Sequence, residues 1–226
     1  MGWKGYETAL QHNPEGVKAV LRVAKDIPHT EGRALMSPSI ELELAHIIER
    51  ESGWRPDIQN VINGKPFATG LIQFTPQTAE QLGTTPLKLK AMSLQEQSVY
   101  VAKYFDMVLG AVGPAKKPGD LYIATFYPKV SHAPPEYVIA AKDSPGKGER
   151  LIWEQNPGLR CSPEGPITVA CVRAYGTPSS EPPSGLPDLA DPGPTVKARG
   201  SQGALGIMLV LFLAWMYKRG NLPLAA

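Results

Sequence analysis

Apolar residues recur at helical spacing over much of the chain. In residues 16–26 (GVKAVLRVAKD), Val17, Val20, Leu21 and Ala24 fall on one face, the i, i+3, i+4, i+7 signature of an amphipathic helix. Residues 39–51 repeat it with Ile40, Leu44, Ile47 and Ile48. Residues 93–109 look like a further helix, carrying Val99, Val101, Ala102, Phe105, Val108 and Leu109. A shorter helix is predicted over 76–82. Ser37-Pro38 reads as a start signal, serine as N-cap and proline at the first helical position, while Gly53 stops that helix and Pro56 prevents a restart. Strand-like alternation is rare, so the pattern predicts a mainly α fold.

The pattern changes twice towards the C-terminus. Residues 177–200 (TPSSEPPSGLPDLADPGPTVKARG) hold six prolines and almost nothing to bury, which predicts an extended linker. Residues 203–217 (GALGIMLVLFLAWMY) are uncharged and almost wholly apolar. Fifteen helical residues rise only ~22 Å, short of a ~30 Å hydrocarbon core. Adding Ser201 and Gln202 reaches the lower limit, with Trp215 and Tyr217 at interfacial depth and Lys218 and Arg219 able to snorkel. The predicted organisation is an N-terminal helical extension (1–36), a globular domain (37–176), the linker (177–200) and a transmembrane anchor (201–219). Lys197 and Arg199 on one side balance the basic pair on the other, so charge favours neither orientation.

Composition narrows the function classes. A net charge of +2 argues against a nucleic-acid protein, which concentrates basic surface. Two cysteines allow one bridge at most and no four-cysteine zinc site. The opening Met1-Gly2-Trp3-Lys4-Gly5-Tyr6 carries no apolar h-region, so no cleaved secretory signal is expected.

The chemistry concentrates at one helix end. In Glu51-Ser52-Gly53-Trp54-Arg55-Pro56, Glu51 stands one turn beyond Ile47 and Ile48. Apolar surroundings and the negative end of the helix dipole would both raise its pKa, and a carboxyl protonated at neutral pH can act as a general acid. Glu43 and Glu49 read as solvated helix residues. Further on, Ala68-Thr69-Gly70-Leu71-Ile72-Gln73-Phe74-Thr75-Pro76-Gln77-Thr78-Ala79 combines a glycine that permits close backbone approach, an amide donor and acceptor at Gln73, and a capped helix start.

Taken together, ESGWRP and GLIQFTPQTA resemble the soluble lytic transglycosylase family, whose mainly helical α+β domain is related to goose-type lysozyme. That family joins a Glu-Ser pair at a helix end to a Gly-Leu-X-Gln-X-X-Pro-X-Thr-Ala segment. Its third block, Ala-X-X-Tyr-Asn, has a counterpart in Ala124-Thr125-Phe126-Tyr127-Pro128, with proline where asparagine is expected. DLYIATFYP (120–128) and Gln155-Asn156-Pro157-Gly158-Leu159 are similar to phage-encoded, virion-associated members; the likeness spans roughly residues 37–175.

The resemblance implies a peptidoglycan lytic transglycosylase. Glu51 would protonate the glycosidic oxygen between N-acetylmuramic acid and N-acetylglucosamine, then act as base on the muramoyl 6-hydroxyl to give a 1,6-anhydro product. Ser52, Gln73 and Tyr127 would contact the sugars, and Phe74 would be either a sugar platform or packing, without metal or cofactor. The implied partners are glycan strands, a membrane through 201–219, and other virion or envelope proteins; the implied location is a virion or a bacterial envelope facing the periplasm. Two alternatives stand beside it: a lysozyme that uses Asp57 or Asp120 as a second carboxylate with water, and a structural or DNA-delivery virion protein that binds glycan without cutting it. A calcium-type loop at 160–168 would have Arg160 at its first ligand position, where a cation cannot coordinate another. Cys161 and Cys171 flank that loop, either bridged as a staple in place of the metal or as two free thiols.

Overall fold

Ser39, not Ser37, starts the central helix. Its Oγ accepts the Leu42 N–H (3.2 Å), and Ser37-Pro38 lies in the preceding turn with a cis peptide bond. The helix runs Ile40–Ser52 and ends at Gly53, whose φ of 57° lets its N–H return to the Glu49 carbonyl (3.1 Å). Ile40, Leu44, Ile47 and Ile48 are buried along it, as their spacing predicts. At about 1.5–3 kcal/mol per buried side chain, this face is what holds the helix in place.

The structure is a computed structural model in which residues 3–62 and 64–189 are described. The chain runs through α1 (Lys4–His12), α2 (Pro14–Arg22), α3 (Glu31–Ala34) and α4 (Ile40–Ser52), then an antiparallel hairpin of β1 (Gln59–Ile62) and β2 (Lys65–Thr69). Next come α5 (Pro76–Gln81), α6 (Pro86–Lys90), the long α7 (Leu94–Val112) and α8 (Asp120–Phe126). The last part holds β3 (Val138–Ala140), α9 (Lys147–Gln155), β4 (Ile167–Thr168) and α10 (Val169–Gly176), with β3 and β4 paired antiparallel. The fold is mostly helical, as expected. Helix α2 packs along α7, α10 along α8, and α4 touches α1, α2, α8 and α10.

Two predicted boundaries change. Residues 1–36 were expected as an extension, yet Trp3, Tyr6, Val17, Val20, Leu21 and Ile27 are buried in the same core as α4 and α7. An amphipathic face such as that of α2 is stable only against a partner, and α7 supplies it. The linker was expected to begin at Thr177, but 177–189 lies on the domain as a strap. Pro178 and Pro182 are buried, and Leu186 and Leu189 pack against the core. The Tyr6 hydroxyl donates to the Gly185 carbonyl (2.8 Å), and the Ser184 N–H to Glu7 Oε1 (3.1 Å). Scarce hydrophobicity was not decisive there, because prolines with little entropy to lose need few contacts.

The predicted anchor at 201–219 and the rest of the linker lie outside the described residues. Among the described residues, no helix is long and apolar enough to cross a membrane.

Candidate active site

Glu51 sits in the last turn of α4, half-buried. The Tyr122 hydroxyl donates to its Oε1 at 3.0 Å. Burial raises the Glu51 pKa, and the Tyr122 hydrogen bond and the Arg50 charge pull it only partly back. Burial and the Glu51 charge push the Tyr122 phenol well up, so it stays a donor across the physiological range. Tyr104 on α7 is pushed up by the same two causes, which places it within electrostatic reach of Glu51. The titratable and charged groups coupled to Glu51 are Tyr122, Arg50 and Tyr104; among the described residues no second carboxylate is one of them.

Tyr122 is held from behind. Its ring lies 5.1 Å from the Tyr175 ring, and a Cβ on Gly176 would fall 2.2 Å from the Tyr122 Cβ, so α10 approaches α8 closely only because that position is glycine. The Arg50 guanidinium stacks 3.6 Å over Tyr175, and its Nε donates to His46 Nε2 (2.9 Å). Burial, and after it the Arg50 charge, lowers the His46 pKa, which suits a ring nitrogen that accepts from arginine.

The loop 69–74 forms the second part of the site. Thr69 and Phe74 exchange N–H···O bonds of 2.9 Å in both directions, closing a tight loop. Gly70 adopts φ 83°, and a Cβ there would meet Gln97 Oε1 at 2.4 Å. Gln97 is fully buried. Its Oε1 accepts the Leu71 N–H (2.9 Å), and its Nε2 donates to the Leu89 carbonyl (2.6 Å) and the Pro56 carbonyl (2.5 Å). One amide thus ties the loop, α6 and the turn after α4 together. Gln73 sits at φ 54°, a left-handed position unusual for its type, with Nε2 donating to the Gly70 carbonyl (2.9 Å).

The predicted site residues divide accordingly. Glu51 is half-buried at the end of α4, with the Tyr122 hydroxyl on its Oε1. Gln73 is half-buried on its loop, and Tyr127 is half-buried at the end of α8, with the Lys129 ammonium 5.4 Å over its ring. Tyr104 joins these parts: its ring packs edge-on against Phe74 (6.2 Å), and its hydroxyl donates to the Ala124 carbonyl (3.0 Å). One expectation is corrected and one open choice is resolved. Ser52 is 3% exposed and its hydroxyl donates back to the Ile48 carbonyl (3.1 Å), so the helix turns it inward. Phe74 is 2% exposed and packs beneath Tyr104, so it supports the loop and offers no sugar platform.

Four acids read from the sequence also resolve. Glu43, expected to be solvated, is fully buried. Its Oε2 pairs with Arg33 (2.5 Å) and its Oε1 accepts the Leu121 N–H (2.9 Å). Glu49, also expected to be solvated, accepts the backbone N–H groups of Gly5 (3.0 Å) and Tyr6 (2.7 Å). Asp120 is buried and fully engaged by Arg173 Nε (2.7 Å) and the N–H groups of Lys116 and Lys117 (both 2.9 Å). Asp57 is exposed beyond the Gly53-Trp54 turn. In the 160–168 loop, the Arg160 guanidinium donates to the carbonyls of Pro163 (2.9 Å) and Trp153 (3.0 Å) and stacks 3.6 Å over the Trp153 ring. Cys161 and Cys171 form a disulfide, which settles the choice between bridge and free thiols.

Residues 32–109 match the family described as the transglycosylase SLT domain. That match supports lytic transglycosylase activity on peptidoglycan in general, with binding of glycan strands. It covers α3 to most of α7, and therefore Glu51, Gln73 and Tyr104, but not Tyr122 or Tyr127. No curated protein matches the chain.

Proposed function

We propose that the chain is a lytic transglycosylase that cleaves the β-1,4 bond between N-acetylmuramic acid and N-acetylglucosamine, with Glu51 as the one acid and base. The observation that carries this is the solitude of Glu51. A two-carboxylate hydrolase needs a second acid near the scissile bond. Asp120 is committed to Arg173 and two backbone amides, and among the described residues no carboxylate acts on Glu51. A lone carboxyl whose pKa burial raises can deliver its proton to the leaving oxygen. The same oxygen, once charged and steadied by Tyr122, can then take the proton of the muramoyl 6-hydroxyl, closing the 1,6-anhydro ring without water. Gln73 and Tyr127 would orient the sugars beside it.

The same reading extends to context. The apolar segment 203–217 would anchor the protein, and the catalytic domain would open the cell wall locally, in a phage virion during genome entry or in a bacterial envelope apparatus. The phage form rests on the resemblance of DLYIATFYP and QNPGL to virion-associated members.

The test is product analysis. Purified peptidoglycan should yield 1,6-anhydromuramoyl products with wild type. Glu51→Gln, which keeps shape but carries no transferable proton, should lose about 10²–10⁴-fold or more in turnover with an unchanged melting temperature. Reducing-end products with the same Glu51 dependence would make the enzyme a lysozyme. Glycan binding with no cleavage by wild type would make it the structural protein that Pro128 keeps in view.

A further inference from the structure

The last turn of α4 is seated by parts of the chain that lie outside residues 32–109. Glu49, two residues before Glu51, accepts the first free N–H groups of α1 with both carboxylate oxygens. A carboxylate at a helix N-terminus is favourable for α1 and fixes Glu49 in return. A Cβ on Gly5 would fall 2.5 Å from the Gly53 carbonyl oxygen, so the α1 backbone lies directly on the turn that ends α4. The Tyr6 ring meets the Trp54 ring edge-on (5.3 Å), and Trp3 lies against His46 (5.6 Å). Helix α1 is in turn gripped by the strap, through Tyr6 O–H to Gly185, Ser184 N–H to Glu7 Oε1 and the Ser184 hydroxyl to Glu7 Oε2.

This support answers a local weakness. Gly53 and Trp54 both adopt left-handed φ, 57° and 61°. For tryptophan that conformation is strained and persists only where surroundings impose it. The buried Trp54 Nε1 also finds no hydrogen-bond acceptor among the described residues. Left to itself, the turn would relax and α4 would fray from its end, where Glu51 sits.

We propose that α1 and the strap form a clasp on the back of the catalytic helix, with Tyr6 and Glu49 as positioning residues for Glu51. Catalytic competence then depends on the strap, the point at which the chain leaves towards its C-terminal apolar segment, staying docked. The clasp keeps water from the last turn of α4 and so maintains the burial that Glu51 needs. The groups that face Glu51 directly, Tyr122 from α8, Tyr104 from α7 and Arg50 from α4, are not part of it.

The experiment uses the full chain with Tyr6→Phe, Glu49→Gln or the pair Glu7→Gln and Ser184→Ala. Val17→Ala, a buried α2 change, serves as a control for simple loss of stability. The Glu51 carboxyl is titrated by carbon NMR in the free protein, and kcat and KM are measured against pH. Clasp variants should move the Glu51 titration down, towards an ordinary glutamate. The basic limb of kcat should move with it, because the acid must be protonated to act. At neutral pH kcat should fall about threefold to tenfold, with KM changed by less than about twofold. Val17→Ala should lower the melting temperature and leave both titrations in place. An unmoved Glu51 titration in folded clasp variants, or an equal shift in Val17→Ala, would overturn the clasp. Should Glu49→Gln fail to fold, Tyr6→Phe removes a single hydroxyl and carries the test. The proposal rests on reading Glu51 as the acid. If wild type cleaves nothing, that reading fails, while the carboxyl titration still decides the clasp.

Discussion

Tyr122 stabilises the charged form of Glu51, because a phenol O–H bonds more strongly to a carboxylate than to an acid. Removing it has a definite sign. Tyr122→Phe should raise the Glu51 pKa further, so the basic limb of the pH–rate profile moves to higher pH. The proton-donating half-reaction should survive and the proton-accepting half should weaken. At neutral pH we expect kcat to fall about 10-fold, less than for Glu51→Gln; a profile that moves to lower pH would show that the phenol does not act this way. Gln73→Ala should cost less again, since the Gly70 loop keeps its Gln97 and Phe74 ties. The raised pKa of Glu51 is legible from sequence because it follows from a local pattern, an acid one turn past an apolar pair at a helix end. Ser52 and Phe74 sit in the same motifs, but nearness in sequence does not say which side of a helix or loop faces the cleft. Tyr122 was quoted without a role. Its partner lies 71 residues away, and the only signal was a polar tip inside the apolar run LYIATF.

At the scale of elements, buried polar ties decide where helices sit. Arg33 on α3 and Glu43 on α4 are both fully buried, and Glu43 also receives the Leu121 N–H at the start of α8. Burial pushes the Glu43 carboxyl up, to about 7, against the pull of Arg33 and Leu121. Arg33→Met would leave that carboxyl without its cation and should destabilise by about 3–5 kcal/mol. Arg33→Met with Glu43→Leu should recover most of the loss, since an apolar pair needs no desolvation. Urea midpoints of the single and double variants check this, and a double variant as weak as the single would contradict it. The signal for Glu43 was present in the pattern: Ile40, Glu43, Leu44 and Ile47 share one face at i, i+3, i+4, i+7. Reading it as solvated followed its charge and ignored its place. The hairpin β1–β2 was missed in the same way, although Asn63-Gly64 between two apolar stretches is a strong turn signal. The disulfide ties the 157–166 loop to the first turn of α10, the helix that backs Tyr122. Opening it with a dithiol, or Cys161→Ser with Cys171→Ser, releases a loop of about ten residues. That should lower stability by about 2–3 kcal/mol, while chelators leave the melt unchanged.

At the scale of the whole molecule, the described ends of the chain belong to the domain, and this resets where the tether begins. Sequence composition put the start of a free linker at Thr177. The described strap continues to Leu189, which leaves thirteen residues, 190–202, before the apolar segment. Their span cannot exceed about 45 Å at full extension, against roughly 75 Å for the 24-residue linker read from sequence at a polyproline rise. A fragment ending at Leu189 should therefore melt like the full chain and remain in water without detergent, while the full chain partitions with lipid vesicles. A fragment ending at Gly176 loses the buried Pro178 and Pro182, the packing of Leu186 and Leu189, the acceptor for Tyr6 O–H and both donors to Glu7. Its stability should drop by about 2–4 kcal/mol from lost burial and hydrogen bonds, read as an earlier urea midpoint. Equal midpoints for the two fragments would mean that the strap merely rests on the surface. Unfolding of the 1–189 fragment would instead place the apolar segment in the core and remove the anchor.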